Sequence, residues 1–103
     1  MRVRFDSEAR KELRESVEFY EDRVPGLGME LTHAVEFALR KIIINPLRFR
    51  ADGLGVRICP VQRFPFTIHF LVEPDILWVV AVAHTKKRPN YWRDRLKKPK
   101  TDS

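Results

Sequence analysis

Hydrophobic and polar positions follow two different patterns in the second half of the chain. From 64 to 72, apolar side chains alternate with polar ones, which predicts a strand with one buried face. Residues 76–83 are apolar at every position, which predicts a strand covered on both faces in the middle of a sheet. Glu73-Pro74-Asp75 lies between these stretches and is typical of a tight turn. The two strands therefore form a hairpin.

The first half of the chain predicts a short strand and two helices. Residues 2–5 alternate between arginine and an apolar residue, as in an edge strand. Apolar residues then recur at three- and four-residue spacing over 7–23, which predicts an amphipathic helix capped by Asp6 or Ser7. A second helical pattern follows the Pro25–Gly28 break and stops at Asn45-Pro46, so the helices form an antiparallel hairpin.

A further alternating stretch at 56–61 adds another strand, so the predicted order is β-α-α-β-β-β. The apolar stripe of each helix needs a sheet to cover it, and the chain offers a mainly antiparallel sheet of three to four strands. The fold class is therefore α+β, as a single domain over residues 1–96. Residues 97–103 are expected to form a basic, disordered tail.

Length and composition point to one globular domain. The 103 residues are 44% hydrophobic and 33% charged, without an apolar run of about 20 residues or an apolar N-terminal signal region. We therefore expect a cytoplasmic protein that does not contact a membrane. The single Cys59 cannot form an internal disulfide and is expected to be a small buried residue.

The net charge of +6 lies in the C-terminal segment. Residues 1–84 contain 12 basic and 12 acidic side chains, whereas residues 85–103 contain eight basic and two acidic ones. Such a local positive charge favours an anionic partner, which could be RNA, DNA or an acidic protein surface. A solvated terminus that only keeps the chain soluble is the alternative.

The sequence contains no pattern typical of a metal or cofactor site. His33, His69 and His84 lack the short spacing and the cysteine partner of a metal centre, and the four glycines match no phosphate-binding loop. We expect neither a metal nor a cofactor.

A set of basic and aromatic residues remains as candidate chemistry. Such residues bind phosphates and stack on bases, and with a histidine or tyrosine as proton shuttle they could cleave RNA without a metal. The structural alternatives are that His84 is a satisfied polar group at a strand end, that the aromatic residues pin the segment to the core, and that the strand arginines are solvated or paired. The set consists of Arg57, Arg63, His84, Lys86, Lys87, Arg88, Tyr91 and Trp92.

Five short motifs together resemble the ParE/RelE superfamily of toxins from toxin–antitoxin modules. They are YEDRVPGLGMEL at 20–31, INP at 44–46, RFPF at 63–66, AVAH at 81–84 and KRPNYW at 87–92. The resemblance covers residues 2–96. It implies a helical hairpin on one face of the sheet and an active surface on the opposite, concave face.

The two branches of this superfamily imply different activities. Resemblance to RelE implies a metal-free, ribosome-dependent mRNA endonuclease, with Arg57, His84, Arg88 and Tyr91 as catalytic residues. Resemblance to ParE implies a DNA gyrase poison that is not itself an enzyme. Basic residues of the nuclease type are replaced here by Cys59, Thr67 and Thr85, so the ParE-like branch is favoured.

On the ParE-like interpretation, the C-terminal segment engages the target. The expected target-binding residues are Arg63, Lys86, Lys87, Arg88, Tyr91, Trp92 and Arg93. An inactive toxin relic that only binds its antitoxin is the third hypothesis.

Every version of the resemblance implies a protein antitoxin that folds on the toxin and covers apolar surface. The second helix carries more apolar residues than one core stripe needs, and Phe37 and Ile44 are the expected excess. The alternative is that the sheet and the loop 47–55 bury this helix more fully.

Overall fold

The computed structural model describes residues 1–97, and the elements follow in the predicted order. The strands are β1 (Arg2–Phe5), β2 (Arg57–Pro60), β3 (Phe66–Val72) and β4 (Ile76–His84), and the helices are α1 (Ser7–Arg23) and α2 (Leu27–Ile44). Short 3-10 helices span Pro46–Arg48 and Arg93–Lys97. The α+β class and the β-α-α-β-β-β order are confirmed.

The four strands form one mixed sheet in the order β1-β4-β3-β2. β1 runs parallel to β4, whereas β4 with β3 and β3 with β2 are antiparallel. The predicted interior position of β4 and edge position of β1 are both confirmed. The register shifts between His69 and Phe70, which places Val80 as an extra residue in β4.

The two helices pack closely because of a glycine and a glutamate. A Cβ atom added to Gly28 would lie 2.6 Å from the Val17 carbonyl oxygen, so only glycine permits this approach. The Glu21 carboxylate accepts hydrogen bonds from the backbone N–H groups of Gly26 (2.9 Å) and Gly28 (3.0 Å). The end of α1 therefore caps the start of α2.

The sheet has a hydrophobic core on each face. The helix side holds the larger core, which includes Ile68, Phe70 and Val79. The opposite face is covered by the C-terminal segment, whose Trp92 is 2% exposed and packs with Val56, Val80, Ala81 and Ala83. The segment 85–97 is therefore part of the folded domain. Lys97 ends the last 3-10 helix, and the remaining residues of the predicted tail, 98–103, lie outside the described residues.

The alternating pattern of β2 does not predict which of its two faces meets the helices, but the structure shows it. Cys59 and Val61 are buried in the core under the helices, whereas Ile58 is 42% exposed on the other face. Arg57 therefore points to the helix side, where its guanidinium donates hydrogen bonds to the carbonyls of Leu47 (3.3 Å) and Phe49. Arg57 is therefore bound to backbone carbonyls on the face of β2 that otherwise belongs to the core, and it does not lie on a solvated, charged strand face.

Candidate functional site

After β4 the chain reverses over the sheet through a series of tight turns. The backbone N–H groups of Lys87, Tyr91 and Arg93 donate to the carbonyls three residues before them, at 3.0, 3.3 and 3.0 Å. The His84 Nδ1 atom accepts a further hydrogen bond from the Lys86 N–H group at 3.0 Å. These bonds fix the path of the C-terminal segment, residues 85–97.

One carboxylate holds this segment to the rest of the molecule. Glu12 of α1 accepts a hydrogen bond from the Tyr91 hydroxyl (2.5 Å) and two from the guanidinium of Arg95 (2.9 Å each). A fourth comes from the backbone N–H group of Val82 at 3.1 Å. We call Glu12, Tyr91 and Arg95 the clasp, since they join α1, β4 and the C-terminal segment.

The clasp also satisfies a part of β4 that has no strand beside it. β1 ends at Phe5, opposite Val79, whereas β4 continues to His84. Beyond β1, the Glu12 carboxylate bonds the Val82 N–H group, and Arg95 donates to the Val80 carbonyl at 3.0 Å. Side chains thus replace the missing strand, as an open sheet edge requires.

The electrostatics of the clasp favour a neutral tyrosine beside an ion pair. Burial, and then the hydrogen bond and negative charge of Glu12, raise the pKa of Tyr91. Burial acts to lower the pKa of Arg95, but the hydrogen bond and charge of Glu12 outweigh it and raise that pKa. Tyr91 therefore acts as a hydrogen-bond donor, and a phenolate able to take up a proton is disfavoured.

A cleft of about 240 Å³ opens between the sheet and the C-terminal segment, next to the clasp. His69 lies at this cleft, with its Nε2 atom 2.9 Å from the Thr67 hydroxyl and its ring 5.3 Å from that of Trp92. Its buried Nδ1 atom has no hydrogen-bond partner within residues 1–97. Burial lowers the pKa of His69, more than the nearby carboxylates of Glu12 and Asp52 raise it.

The residues expected to act in a nuclease do not all meet. His84, Arg88 and Tyr91 line the cleft, but Arg57 lies on the other face of the sheet and is bound to backbone carbonyls. At the strand end the His84 Nδ1 atom is occupied by the hydrogen bond from the Lys86 N–H group, and the His84 ring packs against that of Phe66 at 5.2 Å.

The expected target-binding residues divide into an exposed group and an anchored pair. The side chains of Arg63, Lys86, Lys87, Arg88 and Arg93 are exposed. Tyr91 is half-buried in the clasp, and Trp92 lies in the core with 2% of its surface exposed. These aromatic residues pin the segment, so Trp92 presents almost no surface to a partner in this conformation.

The residues expected to bind an antitoxin lie on the open side of α2. Phe37 is 43% exposed and Ile44 is 82% exposed. Met29, eight residues before Phe37 on the same helix, is 58% exposed. Neither the sheet nor the loop 47–55 covers these side chains.

Glu12 and Arg95 were missed by the sequence interpretation. In the sequence Glu12 is one of several acids of the first helix, and Arg95 is one of several basic residues near the C-terminus. The two are separated by 83 positions, and no local pattern in the sequence joins them.

The family comparison agrees with this architecture. The family model described as "ParE toxin of type II toxin-antitoxin system, parDE" matches residues 3–89. The chain belongs to this family. A solved structure, "Chromosomal ParDE TA system from P. aeruginosa", has a similar fold, with a TM-score of 0.70, 15% identity, and coverage of 82% of this chain and 95% of that chain. None of the curated proteins matches the chain.

Membership of the ParE family confirms the expected superfamily and implies an antitoxin partner. The matched range ends at residue 89, before Tyr91, Trp92 and Arg95, so the anchored part of the C-terminal segment lies outside it. Neither helix of residues 1–97 is long and apolar enough to cross a membrane. The same residues hold no cluster of three or more His, Cys, Asp or Glu side chains that could bind a metal.

Proposed function

We propose that this protein is the toxin of a type II toxin–antitoxin pair, that it poisons DNA gyrase, and that its antitoxin neutralises it. The match to the ParE toxin family carries this proposal. The toxin would trap the covalent DNA intermediate of gyrase, and the C-terminal segment of the toxin would engage the target. It would then need no catalytic residues of its own.

The geometry of the nuclease candidates supports the gyrase proposal over RNA cleavage. Metal-free RNA cleavage needs a free proton shuttle and cations close to the phosphate that reacts. Arg57 is on the opposite face of the sheet, and the Tyr91 hydroxyl is bound by Glu12 with a raised pKa. Cys59, where a second basic strand residue would stand, is buried.

The antitoxin would cover the open side of α2. An amphipathic helix binds such a surface with its apolar face, and Phe37 and Ile44 offer the exposed apolar side chains. Replacing both with glutamate should weaken antitoxin binding in a titration of the purified pair. The matched control replaces Lys11, an exposed residue of α1, with glutamate, which changes the charge by the same two units; unchanged affinity in the first variant would remove α2 from the interface.

The test of the gyrase proposal is incubation of the purified protein with gyrase, ATP and supercoiled plasmid. Linear plasmid released after detergent and protease treatment is the expected result. Point variants suit this assay better than truncation after Thr85, because truncation would remove the buried Trp92.

Undamaged plasmid, with supercoiling unimpaired at excess protein, would reject the gyrase proposal. Translating ribosomes would then be tested for cut mRNA. A RelE-like enzyme should lose about 10²- to 10⁴-fold of its cleavage rate in each of the variants Tyr91→Phe and His84→Ala. Absence of toxicity on expression without any antitoxin would instead point to an inactive relic.

A further inference from the structure

Two turns that are distant in the sequence meet at one end of the sheet. Phe66 of β3 pairs with His84 of β4, and beyond this pair the Thr85 N–H group donates to the Pro65 carbonyl at 2.9 Å. Arg63 stands two residues before Pro65, and Lys86 follows Thr85 directly. The hairpin turn between β2 and β3 therefore lies beside the start of the C-terminal segment.

This arrangement gathers four cations into a basic patch, which consists of Arg63, Lys86, Lys87 and Arg88. Since a residue spans at most about 3.5 Å, the backbones of Arg63 and Lys86 lie within about 15 Å of each other. B-DNA carries one phosphate per 3.4 Å of axis on each strand, so the backbones of the patch are no farther apart than a stretch of about four phosphates of one strand.

The four charges are free to meet an anion. All four side chains are exposed, and none takes part in an ion pair within residues 1–97. Glu12, the carboxylate beside Lys87, is already bound by Arg95. Glu15 lines the same groove as Lys87, and Glu30 lines a groove with Arg63, but neither forms an ion pair with the patch.

Two features fix the patch in place. The Lys87 ammonium lies 5.4 Å from the centre of the Tyr91 ring, and the clasp holds that ring through Glu12. Arg63 has a φ of 68°, a left-handed conformation that costs about 1 to 2 kcal/mol for a residue with a side chain. Glycine would avoid this cost, so the paired strands on either side, and not the preference of Arg63 itself, hold the turn in this conformation.

We propose that the basic patch binds the phosphodiester backbone of the DNA duplex that gyrase holds. This inference rests on the proposed function and adds a direct contact between the toxin and DNA. The contact is independent of base sequence, because arginine and lysine side chains on phosphates position a protein without reading bases.

Salt dependence of duplex binding gives the first test. Binding to a fluorescently labelled duplex is measured by anisotropy between 50 and 200 mM salt. Four phosphate contacts predict a slope of log K against log salt of about −3.6, which is an affinity loss of about 150-fold over this range. Wild-type protein that does not bind the duplex at the lower salt concentration would overturn the inference.

A matched pair of double variants locates the contact. Lys86→Gln with Lys87→Gln should reduce the magnitude of the salt slope by about 2, since each phosphate contact contributes about 0.9. Arg40→Gln with Lys41→Gln removes the same charge from two adjacent cations of α2 and should leave the slope unchanged. Equal effects of the two variants would mean that the patch makes no local contact and would overturn the inference. Circular dichroism confirms that both variants fold.

The plasmid assay separates this inference from the proposed function. Wild-type protein that linearises plasmid while the Lys86/Lys87 variant does so only at higher concentration supports both. Equal activity of the two proteins leaves the gyrase proposal standing and overturns the DNA contact. Duplex binding by a wild-type protein that fails to linearise plasmid rejects the gyrase proposal; the patch then binds DNA, but the inference that this DNA is the duplex held by gyrase is overturned. Binding to gyrase is also measured in the absence of DNA. If the Lys86/Lys87 variant loses this binding, the patch contacts an acidic protein surface and the inference is overturned.

Discussion

At the scale of single residues, Glu12 has the widest influence on the structure. Its two carboxylate oxygens accept hydrogen bonds from a phenol, a guanidinium and a backbone amide. Its side chain is 19% exposed and that of Arg95 is 12% exposed, so neither charge would be tolerated at this position without the other. A helix, a strand and the C-terminal segment thus depend on one acid.

The hydroxyl of Tyr91 should contribute measurably to stability. In Tyr91→Phe the aromatic packing remains but the hydrogen bond to a charged acceptor is lost, which should lower the free energy of unfolding by about 1.5 to 3 kcal/mol. Urea denaturation measures this change. Tyr20→Phe is the control, because the Tyr20 hydroxyl makes no hydrogen bond within residues 1–97 while its ring packs against Phe64 at 5.4 Å. Equal effects in both variants would show that the clasp does not stabilise the fold.

His69 should make stability depend on pH. Burial lowers its pKa in the folded state, more than the charges of Glu12 and Asp52 raise it, and Arg95 acts in the same direction as burial. Below a pH of about 6.5 the unfolded chain therefore binds a proton that the folded protein resists. The free energy of unfolding should fall as the pH drops from 7 to 5, with a slope of at most about 1.4 kcal/mol per pH unit for this one proton.

A pair of histidine variants isolates this effect. His69→Gln keeps a polar partner for Thr67 and should flatten the slope between pH 7 and 5, whereas His33→Gln, at an exposed position of α2, should not. Parallel urea titrations at several pH values measure both. If His69→Gln keeps the wild-type slope of unfolding free energy against pH, the pH dependence belongs to other groups.

At the scale of elements, the helical hairpin depends on Gly28. An alanine Cβ at this position would lie 2.6 Å from the backbone oxygen of Val17 and 2.9 Å from the Glu21 side chain. The helices must then move apart, which should cost about 1 to 3 kcal/mol of stability. Gly53→Ala is the control, since a Cβ there meets no atom within 4 Å. Equal thermal stability of the two variants would contradict the close approach of α1 and α2.

The elements themselves were predictable from the sequence because each has its own periodicity. Residues 7–23 were predicted as the first helix, and α1 has these same bounds. The continuous apolar run predicted β4 as an interior strand, as found. The alternation over 56–61 also predicts β2, found at Arg57–Pro60, but it does not reveal which face of this strand meets the helices. For that reason the sequence alone does not predict that Arg57 lies on the helix side of the sheet.

The candidate site was less predictable than the fold, because long-range contacts build it. The basic residues of the segment were visible as a local excess of charge, but the meeting of Arg63 with Lys86 depends on the register of β3 and β4. The clasp joins residues 79 and 83 positions apart. Aromatic residues such as Tyr91 and Trp92 look the same in a sequence whether they bind a partner or anchor the chain. In the structure both are anchors.

At the scale of the whole molecule, the sheet separates two surfaces of different chemical character. The helical hairpin covers one face and presents the apolar side chains of Phe37 and Ile44. The C-terminal segment covers the other face and carries the surplus positive charge. On the proposed function, the antitoxin binds the first surface and the target binds the end of the second. Glu12 connects the two, since it belongs to α1 and holds Tyr91.

The C-terminal segment should therefore be required for folding as well as for activity. Trp92 is 2% exposed and closes the second core, so Trp92→Ala should cost about 3 to 5 kcal/mol. A domain of this size has only about 5 to 15 kcal/mol of stability in total, so a chain ending at Asn90, which also loses Tyr91 and Arg95, should be largely unfolded. The urea midpoint measures both changes.

Ile44→Ala provides the control for these losses, because Ile44 is 82% exposed and its truncation should change stability by about 0.5 kcal/mol or less. A chain ending at Asn90 with the wild-type midpoint would mean that the segment only lies on a domain that is complete without it. An unfolded truncation would explain loss of toxicity without any role in target binding. For this reason, point variants of the exposed cations, which leave Trp92 and the clasp intact, are the ones that can separate binding from folding.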